Sequence, residues 1–316
     1  MEKMIIVPPA AEGLRLDQAL TAQVPELTRS QAQRLLRLGR ILLAGQMARP
    51  AQRVAAGQQI SLNLPSAEPM ELQPTPLDLH ILYEDQHLIV INKAAGVVVH
   101  PAPGHQQDTL VHGLLHHCRD LAGIGGLLRP GIVHRLDKYT SGALVAAKHD
   151  AAHQGLVREF AQGRVNKQYL ALVWNHPRPQ GRIDQPIGRH PVDRKRMSGH
   201  SRSSRPALSS WQVMEYYDGP LSLLKVHLHT GRTHQIRVHL SEAGFPLLGD
   251  TVYAPKKARQ SIPGLAGPAP RQMLHAWQLE FIHPITAELV SLTAPLPEDM
   301  QSIIEQLKAQ LCSRQL

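Results

Sequence analysis

Gly131-Ile132-Val133-His134-Arg135-Leu136-Asp137-Lys138-Tyr139-Thr140-Ser141-Gly142 is the stretch on which the reading of this chain turns. Apolar and polar positions alternate up to Leu136, as in a strand, and Thr140-Ser141-Gly142 suits the tight bend that follows. Asp137 is then an acid at a strand end, where a side chain is held rigidly and faces a cleft. Spacing alone fits two readings equally. One is a catalytic carboxylate; the other is an Arg135–Asp137 pair closing an ordinary turn.

Composition narrows the field. With 316 residues the chain is long enough for one large domain and a small one. Lys and Arg number 34 against 25 Asp and Glu, a formal charge of +9 that favours a polyanionic partner, nucleic acid before membrane. No apolar run reaches the ~20 residues of a membrane helix, and Met1-Glu2-Lys3 opens no secretory signal. Cys118 and Cys312 are far apart, so a disulfide framework or zinc cluster is not expected and a reducing cytoplasm is. Aromatics are 4% of the chain, too few for sequence-tolerant base stacking to be the main binding mode.

Residues 13–64 read as a compact α/β module. A short helix starts at Leu14-Arg15-Leu16 and is limited by Pro25. Thr28 and Gln31 form a capping box for a second helix, with Ala32, Leu35, Leu36 and Leu38 apolar and Gly39 as its stop. Arg29, Arg34, Arg37 and Arg40 occupy the remaining surface as candidate RNA contacts. Ile41–Leu43 and Gln59–Leu64 read as strands. Between residues 13 and 60, seven arginines face two acids. Residues 65–76, with Pro65, Pro69, Pro74 and Pro76, read as a stiff linker to a domain over 77–312.

In that domain a hairpin is expected around Glu84-Asp85-Gln86, a helix over 108–117 and a returning strand over 142–147. Asp150 caps the next helix, and Tyr169–Trp174 is a central strand apolar on both faces. In Ser222–His229, Leu224, Val226 and Leu228 alternate with Lys225, His227 and His229. Met300, Ile303, Ile304, Leu307 and Leu311 mark a last amphipathic helix. Residues 189–205, basic and rich in serine, read as a mobile loop whose Arg194, Lys195 and Arg196 meet phosphates. Residues 255–270 read as a surface insertion. Strands and helices do not alternate regularly, which implies an α+β fold with a mixed, mainly antiparallel sheet.

His134-Arg135-Leu136-Asp137 followed after two positions by Thr140-Ser141-Gly142 resembles the signature of the RluA family of RNA pseudouridine synthases. Further stretches resemble that family in its order: Asn92–Gly96, Lys167–Val173, Thr230–His239, Pro246–Tyr253 and Arg271–Ala276. Ala94 and Ala254 stand where the family has proline and glycine. The N-terminal module resembles the S-four-type RNA-binding domain. The resemblance implies the pseudouridine-synthase fold and Asp137 as nucleophile or base, paired with Arg237. It also implies Tyr169 packed on the target base, and Arg135 filling the gap left by a flipped nucleotide.

The implied isomerisation needs no cofactor and no metal, because it involves neither redox change nor group donor. It does need a water-poor pocket, where a carboxylate is pushed towards its neutral form unless a cation compensates. RNA is the expected partner, large-subunit ribosomal RNA before transfer RNA, bound by a monomer without a membrane. Two rivals stay open at this point. One is a non-catalytic RNA-binding ribosome-assembly factor, against which the intact Asp137, Arg237 and Tyr169 set counts. The other is a metal hydrolase built on histidines such as His227 and His229, near which no Cys, Asp or Glu joins the cluster.

Overall fold

The computed structural model describes residues 2–24, 27, 29–63, 72–101, 105, 107–118, 121, 130–193, 195–201, 203–255 and 267–313. The chain divides into two compact units, residues 1–70 and 71–316.

The first unit contains β1 (Glu2–Ile6), α1 (Leu16–Gln23), α2 (Arg29–Arg37), β2 (Ile41–Leu43), β3 (Gln46–Met47) and β4 (Gln59–Asn63). Its antiparallel sheet runs β1-β4-β2-β3. The sequence reading starts this module at residue 13 and so leaves out β1, which pairs along the whole of β4. Leu16, Leu20, Ala32 and Leu36 from the helices pack on Ile41, Ile60 and Leu62. Each large side chain so buried contributes about 1.5–3 kcal/mol, and helices this short need that support in water. Gly39, at φ +66°, ends α2 and lets the Arg40 N–H reach the Leu35 carbonyl at 2.9 Å. Leu38, read as a core position, lies past the helix and is 62% exposed, off the stripe that Ala32 and Leu36 form. Thr28 and the Gln31 side chain, read as a capping box, lie outside the described residues.

The second unit contains β5 (Ile81–Glu84), β6 (Leu88–Lys93), α3 (Leu110–His117), β7 (Ser141–Ala147), α4 (Asp150–Ala161), β8 (Asn166–Trp174) and β9 (Gln180–Asp184). It continues through β10 (Ile187–Arg189), β11 (Met197–Ser198), β12 (Ser204–Arg205), β13 (Leu208–Tyr217), β14 (Leu221–Leu228) and α5 (Gln235–Glu242). β15 (Leu274–Ile282), β16 (Leu289–Thr293) and α6 (Glu298–Ser313) complete it. A nine-stranded sheet runs β5-β6-β7-β15-β8-β14-β13-β9, with β16 on β15. Only β7 and β15 pair in parallel, so the sheet is mixed and mainly antiparallel, as expected. One face carries the core formed with α3 and α5, through Leu110, Leu114, Ile236 and Leu240 against Tyr169, Ala171 and Val226. On the other face α4 packs against β6 and β7, and α6 packs on Leu170, Leu172 and Leu223.

Several local expectations need correction. Residues 131–136 form no strand; Ile132 makes one isolated bridge to Ala146, and Ser141 already begins β7, so the bend lies at 137–140. The N-cap of α4 is His149, whose side chain accepts from the Ala152 N–H, while Asp150 is the first helical residue. The basic segment 189–205 is not loop throughout: Arg189, Met197–Ser198 and Ser204–Arg205 belong to β10, β11 and β12, which form a three-stranded sheet. Residues 64–71 and 256–266, most of the read linker and insertion, lie outside the described residues. The linker's end is docked rather than free. Leu72 packs against the second unit's core, and the Thr75 N–H donates to the His112 carbonyl at 3.2 Å.

Candidate active site

Each residue of the opening stretch has a physical task. Gly131, at φ +72°, crosses the backbone of β7 so closely that a Cβ would lie 2.3 Å from the Ala147 carbonyl. His134 then turns inward, accepting the Val145 N–H at 3.0 Å and stacking on Phe160 at 4.7 Å. Burial, helped by the Lys167 charge, pushes the His134 pKa down to about 3, so the ring is a neutral peg. Leu136 enters the core, while Arg135 is exposed. The Thr140 N–H closes the turn on the Asp137 carbonyl at 3.0 Å. That turn is clamped from below: Lys93 donates to the Lys138 carbonyl at 3.2 Å, and Arg271 to the Tyr139 carbonyl at 3.0 Å. Gly142 lets β7 meet β15, since any Cβ there would lie 2.2 Å from the Ala276 carbonyl.

The second motif builds the opposite wall. Gln235 accepts from Thr230 Oγ1 at 2.8 Å and the Arg232 N–H at 3.0 Å, and donates to the Leu208 carbonyl at 2.9 Å. This ties the loop to β13 and starts α5. Arg237, one turn into α5 and 5% exposed, donates from Nη1 to Asp137 Oδ2 at 3.0 Å. Its other edge is bidentate on Asp250, Nε to Oδ2 at 2.7 Å and Nη2 to Oδ1 at 3.1 Å. Burial works against the Arg237 charge, but Asp250 and Asp137 together outweigh it and hold the pKa above its ordinary value. Burial likewise works against the Asp250 charge, and Arg237 more than reverses it.

His234 caps α5 in a left-handed conformation, φ +56°, uncommon for a residue with a side chain. Tyr253 accepts the Met197 N–H at 2.8 Å, and its hydroxyl shares a hydrogen bond with His234 Nδ1, also at 2.8 Å. The other ring nitrogen, Nε2, lies 3.9 Å from Asp137 Oδ1. Burial keeps the His234 pKa below its ordinary value, with Asp137 opposing.

Asp137, Arg237, Tyr169 and Arg135 all line one cleft of about 700 Å³, within the range that holds a nucleotide-sized ligand. Tyr169 is 6% exposed; burial pushes its phenol well above the ordinary range, so it stays un-ionised. Among the described residues its hydroxyl has no hydrogen-bond partner. The arrangement is one carboxylate, half committed to a cation, above an aromatic floor. It suits nucleophilic or base chemistry on a flat ring and its sugar.

Other read site residues fall elsewhere. Arg196 does not wave in a loop: its guanidinium lies 5.2 Å over the Tyr253 ring, opposed by Arg237 at 5.0 Å. Lys195 is exposed, and Arg194 lies outside the described residues. In the first unit Arg29, Arg37 and Arg40 are exposed, but Arg29 Nε is bonded to Asp17 at 3.0 Å; the Arg34 side chain lies outside the described residues. His227 and His229 stack at 4.1 Å. The group among the described residues with metal-ligand spacing is instead Glu84, His117 and Cys118, where Lys148 already holds Glu84 at 2.7 Å.

Sequence reasoning gave Asp250, Tyr253, Lys93 and Arg271 no role. All four stand in quoted motifs, and for Asp250, Lys93 and Arg271 the available signal was a lone charged residue bordering an apolar run. Lys93, 2% exposed, gives its three N–H donors to the carbonyls of Ala94, Val97 and Lys138. Burial and then the Arg271 charge push its pKa down to about 7.

Comparison with known proteins identifies the family. Residues 87–242 match the family model described as RNA pseudouridylate synthase, and residues 14–60 match the S4 domain. A Chloroflexus aurantiacus protein named as an uncharacterized RNA pseudouridine synthase is 46% identical, over 97% of this chain and 94% of its own length. Ribosomal large subunit pseudouridine synthase D of Zymomonas mobilis is 43% identical, over 93% of this chain and 94% of its own. The solved human RNA Pseudouridylate Synthase Domain Containing 4 superposes with a TM-score of 0.57 at 28% identity, over 72% of this chain and 92% of that one. With motifs, fold and relatives in agreement, this chain belongs to the RNA pseudouridine synthase family, whose members are isomerases.

Proposed function

We propose that the protein converts uridine to pseudouridine in large-subunit ribosomal RNA, with Asp137 as nucleophile or base, Arg237 as its partner and Tyr169 as the surface on which uracil rests. The observation that carries this reading is the half-committed state of Asp137. Arg237 binds one carboxylate oxygen, and the other stays within the cleft beside His234. The bond from ribose carbon 1 to uracil nitrogen 1 breaks, the base turns, and carbon 1 rejoins at carbon 5. Carbon 5 gives up a proton and nitrogen 1 gains one, with no net change of electrons. The free oxygen of Asp137 serves attack on the sugar, addition to the base, or elimination to a glycal.

Arg135 enters the stack as the nucleotide leaves it, offsetting part of an extrusion cost of a few kcal/mol. Residues 77–312 are the catalytic domain, joined through 65–76 to an RNA-binding domain at 13–64. Arg29, Arg34, Arg37 and Arg40 there, with Arg194 and Lys195 in the catalytic domain, meet phosphates. The name of the Zymomonas mobilis relative favours large-subunit ribosomal RNA over transfer RNA. The test is pseudouridine mapping of cellular RNA with and without the gene. Sites missing from large-subunit RNA support the reading, sites missing only from transfer RNA redirect it, and an unchanged map sinks it.

A further inference from the structure

The face of the sheet that carries α6 is only partly covered by it. α6 packs on Leu170, Leu172 and Leu223. Beyond them strand register places Arg182 of β9 beside Ser210 of β13, His227 of β14 and Gln168 of β8, in one row across four strands. Lys225 stands two residues along β14, on the same face as His227. These residues line a second depression of about 540 Å³. The stacked rings of His227 and His229, 4.1 Å apart and 21° from parallel, connect it to the active site, because His229 also lines the catalytic cleft.

We propose that RNA bound in the cleft continues over the exposed His229 ring onto this polar face, one flanking base stacking on the histidine pair and the following phosphates meeting Lys225 and Arg182. This rests on the reading that RNA fills the cleft. Three features favour RNA as the occupant. First, the charge is complementary: among the described residues no acid lies within ion-pair distance of Lys225, and Arg182 is held by Asp184 through an exposed pair at 3.3 Å, which a phosphate displaces at little cost. Second, the Gln168 amide suits sugar and base edges, while the Ser210 hydroxyl, bonded to His229 Nε2 at 2.9 Å, holds the outer ring in place. Third, the histidine pair presents a flat surface of the kind that unstacked bases occupy. Burial, with each ring's cationic neighbours, keeps both histidines below their ordinary pKa and so largely neutral at neutral pH, which the close stack requires.

The test measures equilibrium binding of deproteinised large-subunit ribosomal RNA across a salt series, with single-turnover pseudouridine formation at saturating RNA alongside. Lys225→Glu combined with Arg182→Glu should weaken binding at least about tenfold. The slope of log affinity against log salt should become shallower by about 1.5–2, with the saturated rate unchanged. His229→Ala should lose about fivefold or more of affinity, and His229→Phe should restore it, because stacking needs a flat ring rather than imidazole hydrogen bonds. Folded variants with the affinity and salt slope of the parent would overturn the inference. So would a saturated rate that falls while affinity holds. Binding does not require turnover, so a protein inactive on this RNA would count against the proposed reaction and leave this test standing.

Discussion

Asp17 in the first unit and Asp137 in the second each lie against arginine, and the difference between them separates structure from chemistry. Asp17 is fully buried and accepts from Arg15 at 3.1 and 3.2 Å, Arg29 at 3.0 Å and Gln33 at 2.6 Å. Both its oxygens are engaged, Oδ2 by three donors and Oδ1 by one, and it ties the start of α1 to α2. Asp137 takes one hydrogen bond from Arg237 among the described residues and keeps 16% of its side chain exposed in the cleft. The arginines differ in the opposite sense. Those on Asp17 are 38% and 51% exposed, whereas Arg237 is 6% exposed and pinned by Asp250. A carboxylate becomes reactive when its partner is immobilised by a third group and one of its own oxygens is left unspent.

The sharpest test of that contrast is Asp137→Asn, which keeps the shape and removes the charge. Single-turnover pseudouridine formation should fall at least about a thousandfold while RNA affinity stays within about threefold. Retention of a tenth of the parent rate would remove Asp137 from its role.

Arg237→Met should cost both rate and stability. It strands the buried Asp250 without its cation, a loss of about 3–5 kcal/mol in denaturant unfolding. Adding Asp250→Leu should return most of that stability without returning activity. The single-turnover rate of Arg237→Met at saturating RNA should fall at least about a hundredfold, because the acid loses the group that orients it. A rate within about threefold of the parent would mean that Arg237 does not serve the acid.

Deleting residues 1–70 should weaken RNA binding about ten- to a hundredfold and flatten its salt dependence. The rate at saturating RNA should stay within about threefold of the parent. A truncated protein with full affinity and a lost rate would assign the first unit to catalysis.

The smallest effect belongs to Asp17→Ala. It should destabilise the first unit by about 1–3 kcal/mol, read by thermal melting of an isolated 1–70 segment if that segment folds, or by hydrogen exchange in the full chain. Turnover at saturating RNA should not change. Arg15 first, then Gln33 and Arg29, hold the Asp17 carboxyl well below the ordinary range against its burial. A group depressed in the folded state contributes fully above its unfolded pKa of about 4. Its contribution fades as pH falls from that value and is lost once pH passes through the lower folded value. Melting that loses this contribution already at neutral pH would contradict the saturated geometry of Asp17.

Much of the chain was legible because its cues are local. The alternation of Leu224, Val226 and Leu228 with Lys225 and His227 gave β14, and the apolar run from Tyr169 gave a central strand that β14 and β15 do flank. Gly39 ended its helix where a left-handed residue was expected. Other readings failed where one cue had two outcomes. The alternation of residues 131–136 describes side chains turning in and out, which an extended segment with a single bridge satisfies as well as a strand. Ser and Arg between 189 and 205 looked solvated. Yet Gly188 sits where a Cβ would meet the Ser203 carbonyl at 2.1 Å, and that closeness belongs to a small sheet rather than a loop.

The sequence by itself determined the motif residues, their order and the family they resemble, because catalytic side chains are written as residue types at short spacings. What only the tertiary structure decided is how the acid is held. Asp137 and Arg237 are a hundred positions apart, and two further segments reach them, one carrying Asp250 and Tyr253 and the other Lys93. Local periodicity carries no information about such pairings. They exist because β7 and β15 run parallel at Gly142 and α5 packs over the same face, and only when the sheet closes does a buried charge find the partner that makes its burial affordable.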